Sequence, residues 1–192
     1  MKLSDVIKLQ LLKYYRFERS FDYVCTEGIH NSDINAAKEN NLIEVEIKIS
    51  KSDFRREFEP LGSKNGSVWK WNKHKSYKNP SDAGEYYIIP NQFYFCVPAE
   101  MVDWAKEYLK DKNPKYGLLA YDTEYITSGA SHTHIKTIKK AAKLHAEAPK
   151  ERVFGQIVKR MSSELINLKD RYNKDKQELE ALQKGIITES IE

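Results

Sequence analysis

Two carboxylates and a lysine in the first third of the chain have the types and spacing that metal-dependent hydrolysis requires. Glu46 and Lys48 alternate along the segment 42–50 (LIEVEIKIS), which predicts a strand with both side chains on its polar face. Asp33 begins the preceding predicted strand, 33–37 (DINAA). Antiparallel pairing of the two strands through a short turn brings the Asp33 carboxylate toward Glu46. We therefore expect two carboxylates and one ammonium group to converge at one place.

Such a group has a chemical use. Asp33, Glu46 and the backbone carbonyl of Ile47 offer hard oxygen ligands for Mg²⁺ or Mn²⁺. Lys48, on the same face, is expected to orient or deprotonate the attacking water and to stabilise charge on a phosphate, so the pattern predicts phosphodiester hydrolysis. Taken alone, a Glu-x-Lys triplet is more typical of a solvated strand face with weak ion pairs. Glu44 shares the polar face, and we expect it to point into solvent as a structural residue.

The surrounding segments alternate between helical and strand-like patterns, as expected for an α/β fold. Apolar residues at helical spacing predict helices over 3–19 and 98–111, and Ser52 or Asp53 opens a short helix over 51–59. The short links between the first three strands predict an antiparallel meander. The predicted strands cover 21–27, 33–37, 42–50, 91–97 and 116–121. Residues 61–90 are rich in Gly, Asn, Ser, Lys and Pro and predict a long mobile insert.

Asp33, the Glu-Ile-Lys triplet at 46–48 and the order of elements resemble the PD-(D/E)XK nuclease superfamily. The segments SDINAA, IEVEIKISKSDF and NQFYFCVP are similar, more narrowly, to MmcB-like DNA-repair nucleases and their phage relatives, over residues 14–122. The resemblance implies a restriction-endonuclease-like core (α-β-β-β-α-β, with a mixed central sheet flanked by helices). It also implies a metal-dependent deoxyribonuclease of DNA repair or phage DNA metabolism. In that superfamily an acidic residue of the first helix often joins the metal site, and Glu18 is the matching position. Ser32, where the family has Pro, is a departure.

Basic residues are concentrated beside the predicted site, although the net charge of the whole chain is only +4. Between residues 48 and 78 basic residues outnumber acidic ones, and Trp and Tyr are interleaved with the lysines in SVWKWNKHKSY. This mixture can follow a phosphate backbone and stack on bases. The residues expected to contact DNA are Lys51, Arg55, Lys70, Lys73, His74, Lys75 and Tyr77. Trp69 and Trp71 are equally compatible with anchoring the insert on the core.

The last third of the chain is expected to be helical from Thr137, with a break at Ala148-Pro149 and a long second helix over 151–184. We therefore place a domain boundary near residue 149. The predicted organisation is a nuclease-like domain over 1–149, followed by a helical extension over 150–192.

Large residues recur along the predicted long helix at alternating steps of four and three, the spacing of a seam with another helix. The positions are Phe154, Val158, Met161, Leu165, Leu168, Tyr172, Asp175, Leu179 and Leu182, of which only Asp175 is charged. This apolar stripe predicts a homodimer or another protein partner. The alternative is that its first part, 154–165, docks on the chain's own domain and the rest is solvated.

Composition and missing motifs exclude several other classes. With 40% hydrophobic and 11% aromatic residues the chain can build a core, yet it has no run of roughly 18 apolar residues for a membrane span and no signal-peptide pattern. We expect a cytoplasmic protein without membrane contact. Cys25 and Cys96 are expected to be reduced core residues, and His132 with His134 lacks a third zinc ligand. The glycines form no nucleotide-binding loop.

Two functions are open at this point. The first is a Mg²⁺- or Mn²⁺-dependent deoxyribonuclease, and RNA is a substrate that backbone-directed chemistry does not exclude. The second is a catalytically inactive protein with a nuclease-like fold that binds DNA or assembles with a partner through its C-terminal helix.

Overall fold

The computed structural model describes residues 3–59, 68–83, 87–124 and 133–189. Within these residues a six-stranded sheet has helices packed on both faces. In chain order the elements are α1 (Leu3–Lys13) with a π-helical extension (Tyr14–Glu18), β1 (Tyr23–Thr26), β2 (Ile34–Lys38), β3 (Asn41–Ile47), α2 (Lys51–Arg56), α3 (Val68–Lys78), β4 (Gln92–Pro98), α4 (Val102–Lys112), β5 (Gly117–Tyr121), β6 (Ile135–Lys139) and α5 (Glu151–Glu189). The chain is therefore a mixed α/β protein with a C-terminal helix.

The strands lie in the sheet in the order in which they occur in the chain. β1, β2 and β3 form the predicted antiparallel meander, with Ile34 opposite Val45. β3, β4 and β5 are parallel neighbours, so their carboxyl ends share one edge of the sheet, and β6 returns antiparallel to β5. The Lys48 amide donates to the Cys96 carbonyl at 2.9 Å and carries the β3–β4 pairing to that edge.

Alternation along β3 separates an apolar face from a polar one. Val45 belongs to the core that Ile7 and Leu11 of α1 cover. Glu44 and Glu46 alternate with this apolar set and point to the other face, where they meet α3. The period-two pattern therefore places the apolar and polar residues of β3 as predicted.

A second apolar core lies on the face that carries the polar residues. Phe54 of α2, Phe95 of β4 and Leu109 of α4 are fully buried there, together with Tyr77 of α3. The polar residues of β3 are thus enclosed beside a packed aromatic core rather than exposed on an open sheet.

The predicted insert over 61–90 is not irregular over most of its described part, because Val68–Lys78 forms α3. Lys73 and Tyr77 stand four residues apart on α3 and are both buried. Composition concealed this helix because its buried positions are occupied by polar and basic residues. Residues 60–67 and 84–86 lie outside the described part of the chain.

Two local predictions also need correction. The segment from Thr137 is not helical, because Ile135–Lys139 is the edge strand β6 and α5 begins only at Glu151. The β-branched residues of IKTIK favour this strand. Helix α2 is capped by Ser50, whose side chain accepts from the Asp53 amide at 3.1 Å, and not by Ser52 or Asp53.

In the described part of the chain, the long helix α5 is anchored over about its first four turns, up to Glu164. Val153 and Ile157 are buried in a core with Ile29 and Leu42, and Arg160 donates to the Thr26 carbonyl at 3.0 Å. The fully buried residues Val153 and Ile157 lie beside the apolar stripe rather than on it. Phe154 packs on Tyr23, but the other apolar residues of the stripe are 37–66% exposed: Val158, Met161, Leu165, Leu168, Tyr172, Leu179 and Leu182.

Both cysteines are free and buried, as predicted. Burial raises the pKa of Cys25 to about 12, so its thiol is unreactive at neutral pH. None of the helices in the described part of the chain is both long and apolar enough to cross a membrane.

Candidate functional site

The structure brings Asp33 to the middle of the Glu46-Ile47-Lys48 triplet. One oxygen of the Asp33 carboxylate accepts from the backbone amide of Ile47 at 2.8 Å, and the other lies 3.3 Å from Nζ of Lys8 on α1. The antiparallel register of β2 and β3 sets this approach, since Asp33 directly precedes the pair Ile34 and Val45. Asp33, Glu46 and Lys48 thus meet at one place.

The electrostatics at Asp33 indicate a second carboxylate close by. Burial raises the pKa of Asp33, and the negative charge of Glu46 raises it further. The Ile47 amide and the ammonium groups of Lys8 and Lys48 oppose this shift. A divalent cation would relieve the repulsion between two carboxylates in such a partly buried place.

Lys48 is a permanent cation in this fold. Its Nζ lies 2.7 Å from Oε2 of Glu57 and 3.4 Å from Oε2 of Glu46, and its side chain is only 5% exposed. Burial alone would lower the pKa of Lys48, but the carboxylates of Glu46 and Glu57 raise it above the ordinary value. Lys48 can therefore orient water and stabilise negative charge, whereas it does not carry the free electron pair of a general base.

A buried ionic cluster surrounds the other oxygen of Glu46. Nζ of Lys73 lies 2.8 Å from Oε1 of Glu46, 3.0 Å from Oε1 of Glu57 and 3.4 Å from Oε1 of Glu44. Although burial would lower it, the pKa of Lys73 is held well above its usual range by these three carboxylates. Glu57 also binds Lys70 at 2.8 Å. We call Glu44, Glu46, Glu57, Lys48, Lys70 and Lys73 the ionic cluster.

Neutral hydrogen-bonding groups complete the cluster. His74 places Nε2 3.2 Å from Oε1 of Glu57 and Nδ1 2.7 Å from the Tyr116 hydroxyl, and burial lowers the pKa of His74. The Tyr77 hydroxyl donates to Glu44 at 2.6 Å. Burial raises the pKa of Glu44 to about 7, even though Lys73 and Tyr77 oppose the shift. The prediction that Glu44 faces solvent is wrong, since the residue is 1% exposed.

Glu57 and Lys73 are the central residues that the sequence prediction did not assign to the site chemistry. A signal for Glu57 exists in the sequence, because Phe54, Glu57 and Phe58 share one face of a helical turn. An acidic residue on the same helical face as two aromatics that pack on the core is itself expected to be buried and to need cations. Lys73 and Tyr77 have the same four-residue spacing on α3, but only the packed structure shows which face they occupy.

Glu18 does not join this group. Its carboxylate accepts hydrogen bonds from the amide and the hydroxyl of Thr133, just before β6. Three strand spacings, about 14 Å, separate β6 from β3. The predicted role of Glu18 as a metal ligand is therefore wrong, because the residue, at the end of the π-helical extension of α1, lies at the β6 edge of the sheet.

The residues expected to contact DNA divide by exposure. Lys51, Arg55 and Lys75 are exposed, whereas Lys70 is half-buried against Glu57. Lys73 and Tyr77 are buried, and the His74 side chain is only 11% exposed and is held by Glu57. The prediction of direct DNA contact is therefore wrong for Lys73, His74 and Tyr77. Lys51 follows the carboxyl end of β3 by four residues and so lies near the candidate site.

The donors at the candidate site limit the kind of metal ion that it could hold. Among the described residues no three His, Cys, Asp or Glu side chains form a metal-binding group. Mg²⁺ does not need three, because proteins often hold it with one or two carboxylates plus waters and substrate phosphates. Asp33 and Glu46 fit this description, and Lys8 keeps a partner in Glu27, at 3.0 Å, if it leaves Asp33. The ligand role of the Ile47 carbonyl stays a prediction.

Comparison with known proteins supports the fold and leaves the function open. No protein-family model matches the chain, and no curated protein matches it. A solved structure of a protein of unknown function from Silicibacter pomeroyi (SPO1766) superposes with a TM-score of 0.59 at 14% sequence identity, covering 89% of this chain and 94% of that one. This likeness concerns the mixed α/β fold alone.

Proposed function

We propose that the chain is a metal-dependent nuclease of the PD-(D/E)XK kind that hydrolyses phosphodiester bonds of DNA in DNA repair or phage DNA metabolism. The observation that carries the proposal is the hydrogen bond from the Ile47 amide to the Asp33 carboxylate, at 2.8 Å. It fixes one carboxylate against the triplet that holds the second carboxylate and a buried ammonium group. The cytoplasm is the compartment in which we expect this activity.

Each residue of the candidate site has a distinct role in this proposal. Asp33 and Glu46 would hold Mg²⁺ or Mn²⁺, which lowers the pKa of a bound water and neutralises charge on the attacked phosphate. Lys48 keeps its proton, fixes the direction of Glu46 and presents positive charge beside the reacting phosphate. The exposed cations Lys51 and Arg55 hold the DNA backbone without reading bases.

A second function is favoured by a different observation. The apolar stripe of α5 is exposed, and both oxygens of Glu46 are already paired with lysines. These facts suit a catalytically inactive protein with a nuclease-like fold that binds DNA and assembles with a partner through α5. DNA binding without metal-dependent cutting would favour this alternative.

The test compares cutting of linear, supercoiled, branched and single-stranded DNA in Mg²⁺, Mn²⁺ or EDTA. We expect Glu46→Gln and Lys48→Met each to lower the cutting rate about 100-fold or more, because each removes charge from the site. Glu100→Gln and Lys106→Met, two exposed positions on or beside α4, are the matched controls and should leave the rate unchanged. Circular dichroism confirms that each variant folds.

Cutting that persists in EDTA or in a folded Glu46→Gln variant would contradict the nuclease proposal. An absence of cutting with every metal, combined with equal DNA binding by wild type and both variants, would select the non-catalytic alternative.

A further inference from the structure

Lys73 occupies a position that is built for a cation. Its three N–H donors face three carboxylates, those of Glu44, Glu46 and Glu57, at 3.4, 2.8 and 3.0 Å. The lysine side chain is 3% exposed, and the side chains of Glu44 and Glu57 are 1% and 0% exposed. A buried ammonium group with a full set of carboxylate acceptors is a fixed element of the structure rather than a mobile surface contact.

Glu46 connects this position to the candidate metal site. Its Oε1 binds Lys73 on one side, and Asp33 lies on the other side, because Asp33 and Glu46 adjoin the strand pair Ile34 and Val45. Two cation positions therefore share Glu46. The candidate metal position also has the carboxylate of Asp33, and the position that Lys73 occupies also has the carboxylates of Glu44 and Glu57. In two-metal hydrolases a second divalent ion would need carboxylates such as these last two.

When all three of its carboxylates are ionised, the charges of the ionic cluster balance without any bound ion. Three carboxylates, Glu44, Glu46 and Glu57, face the ammonium groups of Lys48, Lys70 and Lys73. His74, which also faces Glu57, is kept neutral by burial, and Tyr77 is an uncharged donor to Glu44. A divalent ion added beside Lys73 would leave excess positive charge in a buried place, which is unfavourable.

We propose that Lys73 is a built-in second cation, so that the site binds one divalent metal ion per chain rather than two. The inference rests on the proposed function. Lys73 is then a positioning residue: it holds Oε1 of Glu46 and leaves the Asp33 side of that carboxylate to the metal. The proposal also predicts that Lys73 positions Glu46 and does not contact DNA, although it lies among the lysines of a basic segment.

The test counts Mn²⁺ ions bound to the full-length, metal-free chain by titration calorimetry and follows their spectrum by electron paramagnetic resonance. We expect one Mn²⁺ per wild-type chain with the six-line signal of an isolated ion. Lys73→Met empties the position between Glu44, Glu46 and Glu57 and leaves these three carboxylates against two ammonium groups. We expect this variant to take up a second Mn²⁺ and to lose the six-line signal through coupling of two neighbouring ions.

Lys70→Met is the matched control. Lys70 also lies on α3 and binds Glu57 at 2.8 Å, but its side chain is 35% exposed and it has no contact with Glu46 among those described. We expect Lys70→Met to bind one Mn²⁺ with the wild-type spectrum. A merely structural effect of losing a lysine from α3 would change both variants alike.

The possible results distinguish a failure of the proposed role of Lys73 from a failure of the nuclease proposal. Two Mn²⁺ ions on the wild type, or one on a folded Lys73→Met chain, would overturn the role of Lys73 and leave the nuclease proposal standing. No Mn²⁺ on the wild type would overturn the metal-dependent site itself. If Lys73→Met does not fold, Glu44→Gln decides: we expect one Mn²⁺ bound within about threefold of wild-type affinity, and a tenfold loss would show that Glu44 serves a metal instead.

Discussion

At the residue scale, the hydroxyl of Tyr77 is a sensitive point of the ionic cluster, because it donates to a buried carboxylate. Burial raises the pKa of Glu44 to about 7, so at pH 8.5 this carboxylate is ionised and needs its donors. We expect Tyr77→Phe to lower the free energy of unfolding by about 2–3 kcal/mol at pH 8.5. Tyr116→Phe removes a hydrogen bond to neutral His74 and should cost only about 1 kcal/mol.

Urea denaturation of the two variants at pH 8.5 measures this difference. An equal cost for both, or a larger one for Tyr116→Phe, would mean that Glu44 is not ionised in the folded chain.

His74 predicts a pH dependence of stability with a definite sign. Burial lowers the pKa of His74 below its ordinary value of 6.5. Below pH 6.5 the unfolded chain therefore binds a proton that the folded chain excludes, so the contribution of His74 to stability is present above pH 6.5 and is lost below it. Relative to His74→Gln, the wild type should lose up to about 1.4 kcal/mol of unfolding free energy per pH unit below 6.5.

Chemical denaturation of both proteins between pH 8 and pH 5 gives this comparison. A wild-type advantage that stays constant or grows as the pH falls would show that His74 is charged in the folded state.

Sequence alone could predict the residues of the candidate site that lie on strands or directly beside them. Alternation on β3 and a short antiparallel link are local patterns, so Asp33, Glu46 and Lys48 were placed together correctly. The partners Glu57 and Lys73 could not be assigned in this way, because their burial depends on how α2 and α3 pack on the sheet. Polar residues at buried helical positions look like exposed residues until that packing is known.

At the element scale, the same distinction between local sequence patterns and packing explains which helices and strands were predicted. The meander β1–β3 and the aromatic strand β4 carry strong local patterns, and their positions agree within a few residues. Helix α3 was missed because basic and polar residues occupy its buried face, and β6 because IKTIK is an edge strand with mixed polarity. The π-helical extension of α1 redirected Glu18, an effect of backbone path that residue spacing does not encode.

The packing of β5 gives a prediction with a matched control. A Cβ atom added at Gly117 would lie 2.3 Å from the buried Tyr94 ring and 2.8 Å from the backbone nitrogen of Ala141. We expect Gly117→Ala to lower the unfolding free energy by about 2–3 kcal/mol. Gly155 on α5 has nothing within 4 Å of such a Cβ, so Gly155→Ala should stabilise by up to about 1 kcal/mol through helix propensity.

Thermal and urea denaturation of both variants compare the two glycines. Effects of the same sign at both positions would contradict the close approach between β5 and β4.

At the scale of the whole molecule, the apolar stripe of α5 predicts self-association. Leu168 and Leu179 are 65% and 56% exposed, and Asp175 interrupts the stripe between them. We expect Leu168→Glu to weaken dimerisation at least about tenfold and Asp175→Leu to strengthen it by a similar factor, because a buried seam excludes unpaired charge. Asp170→Lys, two residues beyond Leu168 and outside the stripe, is the control and should change little.

Sedimentation equilibrium of the full-length chain measures these affinities. A wild-type chain that stays monomeric up to its solubility limit would exclude the homodimer and leave a different protein as the partner of the stripe.

The part of α5 that extends beyond the sheet also has a consequence for local concentration. The stretch from Leu165 to Glu189 spans about 38 Å of helix beyond the last described contact with the sheet, that of Glu164 with Thr26. A partner bound to the far end of this helix keeps the candidate site within a sphere of about that radius. One molecule in such a volume corresponds to a concentration on the order of millimolar. A partner that binds the helix tip and also carries the substrate would therefore supply the site even where direct affinity for that substrate is weak.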